Sequence, residues 1–139
     1  VTAFSGAPAF AYTAPAVQSA TRHGGNSNAG QNCLGCHTGQ GAPEFVFAGT
    51  AYRDTGGTMP ATQVEVRVVT PQGQEVGKAY TDNSGNFWIE PGAIAQIPAG
   101  AKTGARNGTT TKLMVGGISN GACNTAGCHA PNAIRIVIP

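Results

Sequence analysis

The chain reads as an all-β protein, a seven-stranded sandwich, on three observations. Gly and Pro, 21 and 9 of 139 residues, interrupt it every few positions. Charged residues make up only 10% of the total, and Leu, Glu and Lys are too scarce to build amphipathic helices. Where apolar residues cluster, they recur with a period of two, the repeat of a strand with one buried face. The length suits one domain with a modest core.

Residues 1–31 are expected to form an extended arm. They are rich in small and turn-forming residues, as in Ala7-Pro8-Ala9, Ala14-Pro15-Ala16 and Gly24-Gly25-Asn26-Ser27-Asn28. Such a stretch makes no core of its own. Phe4, Phe10, Tyr12 and Val17 nevertheless equip it to lie along another surface, of its own domain or of a neighbour. Residues 32–139 form the single domain, with the sandwich spanning about 44–117.

The first strand covers 45–52, where Phe45, Phe47, Gly49 and Ala51 alternate with Val46, Ala48, Thr50 and Tyr52. In the second, Val64, Val66 and Val68 alternate with Glu65 and Arg67, which predicts one buried and one solvated face. Pro71-Gln72-Gly73-Gln74 is a turn leading to a returning strand over 75–81. A second turn, Asp82 to Asn86, leads into Phe87-Trp88-Ile89-Glu90, with Phe87 and Ile89 on one face. Further strands are expected near 101–106, 110–115 and 133–138.

All four cysteines fall in two clusters flanking the sandwich. Cys33-Leu34-Gly35-Cys36-His37 has the C-x-x-C-H spacing that attaches haem covalently, two thioethers to the porphyrin vinyls and the adjacent His to the iron. Cys123 to His129 repeats the arrangement with four residues between the cysteines, a looser span that still delivers both sulfurs to one porphyrin edge. A structural zinc site accounts for this less well, since six Cys and His candidates exceed a tetrahedral shell. Disulfides leave the two histidines unexplained. The expectation is two covalently attached haem c groups, held by Cys33, Cys36, Cys123 and Cys128, with His37 and His129 as proximal ligands.

Four axial positions face three histidines. His23 is therefore the candidate distal imidazole, and the soft thioether of Met is the next choice. Met114 lies nine residues before Cys123, much as His23 lies ten before Cys33. Met59, in the loop Gly57-Thr58-Met59-Pro60, is a weaker distal candidate; a vacant sixth position or the N-terminal amine completes the alternatives. Two chemically distinct haems are expected. A core poor in large side chains is also one that bulky porphyrins would complete.

Two resemblances add to this reading. Phe47-Ala48-Gly49-Thr50-Ala51-Tyr52, then Val64-Glu65-Val66-Arg67-Val68, then Tyr80-Thr81-Asp82-Asn83-Ser84-Gly85-Asn86-Phe87 resembles the carboxypeptidase-regulatory-like, transthyretin-like β-sandwich over roughly residues 45–115. That likeness implies an Ig-like fold and no activity. The two flanking motifs look like those of multihaem c-type cytochromes of the extracellular electron-transfer type. That second likeness implies an exported electron carrier, extracellular or on the cell surface, or alternatively periplasmic. Its partners would be redox proteins or an extracellular acceptor, and the arm offers a route to a homopolymer that would make a conductive filament. The formal charge of +2 turns mildly acidic once haem propionates are counted.

Other classes receive less support. No basic run or aromatic-basic pattern suggests nucleic acid, and no apolar stretch is long enough to cross a bilayer as a helix. No Ser-His-Asp set or phosphate loop is present, so the chain is read as a carrier rather than an enzyme. The alternatives kept open are a haem enzyme or sensor with an open iron site, and a haem-free surface binding module whose cysteines serve zinc or disulfides.

Overall fold

Seven strands form in the order expected, and they stack as two sheets. The structure, a computed structural model, describes residues 1–92, 96–125, 128–129 and 135–139. The strands are β1 (Phe47–Tyr52), β2 (Glu65–Val69), β3 (Glu75–Tyr80), β4 (Asn86–Ile89), β5 (Lys102–Arg106), β6 (Thr111–Leu113) and β7 (Ile136–Val137). One sheet has the order β4-β1-β7 and the other β3-β2-β5-β6. Every pairing is antiparallel except β1 with β7. The expected last strand begins at 133, but residues 133 and 134 lie outside the described residues; Ile136 and Val137 form the part that is seen.

The hairpin β2–β3 turns where Pro71 to Gln74 predicts it. Thr70 N donates to Gln74 O and Gly73 N to Thr70 O, with Gly73 at φ 93°, a conformation that suits glycine. The Asp82 turn instead carries the chain from one sheet to the other. Asp82 is fully buried, and its carboxylate accepts the backbone N–H groups of Ser84 and Asn86. Between the sheets, Phe47 and Phe87 pack with Val64, Val66, Val68 and Ile138.

One expectation is corrected. β2 was predicted to solvate the face that carries Glu65 and Arg67, yet Glu65 is 2% exposed and Arg67 8%. The cause is the arm, which folds back over this sheet on its own domain. Ala3 is buried, the Phe4 ring lies beneath the Arg106 guanidinium at 4.6 Å, and Arg106 Nη2 donates to Pro8 O. The covered charges survive because they are paired: Glu65 binds Arg106 Nε at 2.8 Å and Arg67 at 3.4 Å, and Arg67 reaches Glu75. Further along, Tyr12 donates its hydroxyl to Thr81 O and packs edge-on against Tyr80. The arm then forms a single helical turn, α1 (Ser19–Arg22), before reaching the first cysteine.

Candidate functional site

β1 carries both cysteine motifs. Cys33–Gly35 forms a 3-10 turn packed on β1, and the preceding Gly30 donates its N–H to Thr50 Oγ1 at 2.8 Å. On the β7 edge of the same strand, Ala122 bridges Ala48 and Cys123 N donates to Ala48 O. Asn124 ties the two motifs together, because its Nδ2 reaches Gln31 O and Thr50 Oγ1, each at 3.1 Å. The Thr50 hydroxyl in turn donates a hydrogen bond to Asn86 Oδ1 at 2.7 Å. Thr50, Asn86 and Asn124 are all buried, so this is a satisfied polar network that fixes the geometry between the motifs.

Each motif opens into its own cleft. The first, of about 1100 Å³, is lined by His23, Cys33, Cys36, His37, Tyr80 and Trp88 among others. The second, of about 870 Å³, is lined by Cys123, Cys128, His129, Met114, Leu113 and Val115 among others. The second volume lies in the upper part of the roughly 300–1,000 Å³ of small-molecule and cofactor sites, and the first slightly exceeds it.

In the first cleft, His37 Nδ1 lies 2.8 Å from Pro43 O, so that this nitrogen donates and Nε2 is the nitrogen that could serve as a ligand. Its ring stacks on Phe45 at 3.9 Å, and Phe45 stacks in turn on Trp88 at 5.7 Å. The His23 ring stands 6.0 Å from that of His37, with the planes at 79°. His23 follows α1, which is pinned by Ser19: its N–H donates to Asp82 Oδ2, and its hydroxyl accepts from Asn86 Nδ2. His23 Nδ1 is the one buried side-chain nitrogen or oxygen without a hydrogen-bond partner among the described residues.

These residues fit a haem. A first-row metal holds imidazole nitrogen at about 2.0–2.1 Å, which puts the centroids of two imidazoles on opposite sides of one ion roughly 6 Å apart. The four sulfurs are free thiols. Burial raises the Cys33 thiol above its ordinary value, with the neighbouring Cys36 adding to the effect. Burial pushes Cys123 up to about 12, with Cys33 and then Cys128 reinforcing it. Cys33 acts on Cys123 because the two motifs lie side by side. Among the described residues no three His, Cys, Asp or Glu side chains converge as a protein-only metal site.

In the second cleft, Met114 continues the β5–β6 ladder by donating its N–H to Thr103 O, yet its side chain is 38% exposed and packs in no core. His129 N donates to Cys123 O, which brings the two ends of the motif together; residues 126 and 127 lie outside the described residues. Met59 is 52% exposed and is absent from the lining of both clefts. Its loop is organised by Asp54, whose carboxyl is held below its ordinary value chiefly by the Thr58 hydroxyl and then by Met59 N–H.

Pro43, Phe45, Thr50, Asp82 and Asn124 were not singled out for the site from sequence. The Asp82-x-x-Gly85 pattern signals a turn, and its depth of burial follows only from the arm. Asn124, inside the longer cysteine spacer, carries no signal of its own. Comparisons with protein-family models, with curated proteins and with solved structures find no match to this chain.

Proposed function

We propose that this chain is a dihaem c-type electron carrier. Cys33 and Cys36 would hold one haem and Cys123 and Cys128 the other, each by thioethers, with His37 and His129 as proximal ligands. The observation that carries the reading is the pair His23 and His37, at 6.0 Å in a cleft that also contains Cys33 and Cys36. His23 serves this site within its own chain. Met114, which lines the second cleft together with His129, would be the distal ligand of the other site.

The haem iron supplies the one-electron chemistry. The protein's part is to hold and orient. Pro43 O sets the proton on His37 Nδ1, Thr50 and Asn124 fix the spacing of the two attachment loops, and the apolar cleft walls exclude water. We further propose export to the cell exterior, with soluble redox proteins or an external acceptor as partners. Assembly into a filament would use the arm, which in the single chain lies on its own sheet.

Intact mass under denaturing conditions and absorption spectra of the matured protein test the proposal. The expected result is a chain heavier by two haems, with low-spin iron at both sites. His23→Ala should convert one of the two to a high-spin or water-ligated form, and Met114→Ala the other. A colourless protein with the mass of the bare chain would overturn the reading and leave the haem-free module in its place. Negative-stain microscopy of native material decides whether the carrier is single or polymeric.

A further inference from the structure

We infer that Phe45 is a positioning residue that holds the His37 imidazole crosswise to that of His23, which gives the first site a strongly axial ligand field. This rests on the dihaem reading above and goes beyond it. The observations are angles. The His37 and Phe45 planes are 6° apart, the Phe45 and Trp88 planes 17°, and the His23 and His37 planes 79°.

Each ring is held by a separate part of the fold. His37 is gripped twice by one short segment: Pro43 O takes its Nδ1 proton, and Phe45 donates its backbone N–H to His37 O while its ring covers the imidazole face. Trp88, on β4, stacks in turn on Phe45. His23 comes from a different segment, next to α1. Its N–H donates to Ser19 O, and Ser19 is bonded to the fully buried Asp82. Rotating the His37 imidazole into the plane of His23 breaks its bond to Pro43 O and its stack on Phe45, while α1 fixes the backbone that carries His23.

The consequence follows from orbital symmetry. Two parallel imidazoles raise the same iron d orbital through π overlap and split it from its partner. Crossed imidazoles act on different orbitals and leave the two nearly degenerate, so orbital angular momentum along the axis is retained. A ferric low-spin iron in that field gives an EPR signal dominated by one large g value rather than a rhombic trio. Ligand orientation is thus a lever on the electronics of the site, alongside ligand identity.

The test is EPR of the ferric holoprotein, recorded on the wild type and on a Cys123→Ala/Cys128→Ala variant in which only the first site is loaded. The expected spectrum shows the large-g feature in both, alone in the variant and beside the signal of the second iron in the wild type. Phe45→Leu, which removes the flat face and keeps an apolar side chain, should replace it with a rhombic signal and lower the midpoint potential of that site. Phe45→Trp should keep the original spectrum. A wild-type spectrum without the large-g feature, or a large-g signal that survives Phe45→Leu unchanged, overturns the inference while leaving bis-imidazole ligation intact. Absence of covalent haem by mass would remove the proposed function and this inference with it, and mass distinguishes that failure from the other two. Should the double cysteine variant fail to fold, the wild-type and Phe45→Leu spectra still decide.

Discussion

Gly49 is the residue at which core and site touch. It sits on β1 between the Phe87 ring and Cys123, and a Cβ placed there would meet Phe87 Cζ at 2.7 Å and Cys123 Cβ at 2.8 Å. Neither neighbour can yield easily, since Phe87 is buried in the sandwich and the Cys123 backbone is bonded to Ala48 O. Overpacking of this kind costs about 1–3 kcal/mol. Gly49→Ala should lower stability by that amount in denaturant melts, and it should depress haem loading at the second motif more than at the first. Equal loading at both, read by mass, would mean that Cys123 has more room than the packing implies. Nothing in the sequence distinguishes Gly49 from the other glycines, because its neighbours come from positions 38 and 74 residues away.

At the scale of elements, the second strand shows what patterning can and cannot tell. The alternation Val64, Val66, Val68 was legible, as were the turn at Pro71 to Gln74 and the shared face of Phe87 and Ile89, because each depends on neighbours in sequence. The burial of Glu65 and Arg67 was not legible. It is imposed by an arm some sixty residues upstream that brings Phe4 and Pro8 over the sheet. At the site the same division holds: the cysteine spacing marks both motifs, whereas the neighbours of His23 and His37 come from α1, the Asp82 turn and Phe45. The covered ion pairs make a prediction at this scale. Glu65→Ala takes the buried carboxylate from two guanidinium groups under the arm, leaving Arg67 with the more exposed Glu75 and Arg106 with the carbonyl of Pro8. Removing one member of a buried pair costs about 3–5 kcal/mol, while Glu75→Ala, at a side chain 41% exposed, should cost about 1 kcal/mol or less. Chemical denaturation measures both. Limited proteolysis should also show Glu65→Ala cut first within residues 1–10, and similar losses for the two variants would mean that the arm does not seal this face.

For the molecule as a whole, the proposed haems would cover apolar surface that the sandwich leaves open. The fully buried side chains of any size are few, chiefly Phe47, Phe87, Ile138, Val64 and Val68, while Leu113, Met114 and Val115 stand exposed in a row at the sheet edge formed by β6. Those three residues line the second cleft, and Trp88 and Ile89 line the first. Covering an apolar side chain of this size stabilises by about 1.5–3 kcal/mol. Two such side chains covered at each cleft amount to several kcal/mol in all, even after discounting for surface already partly buried. In a domain of this length each kcal/mol moves the melting temperature by roughly 4 °C. Chain produced without haem attachment should therefore melt at least about 10 °C below the matured protein, and it should bind a hydrophobic dye that the matured protein does not. The gap should shrink by about half when only one cysteine pair is left to be loaded. Equal melting of the two forms would show that the clefts gain nothing from a flat apolar occupant, and the exposed row on β6 would then need a different cover.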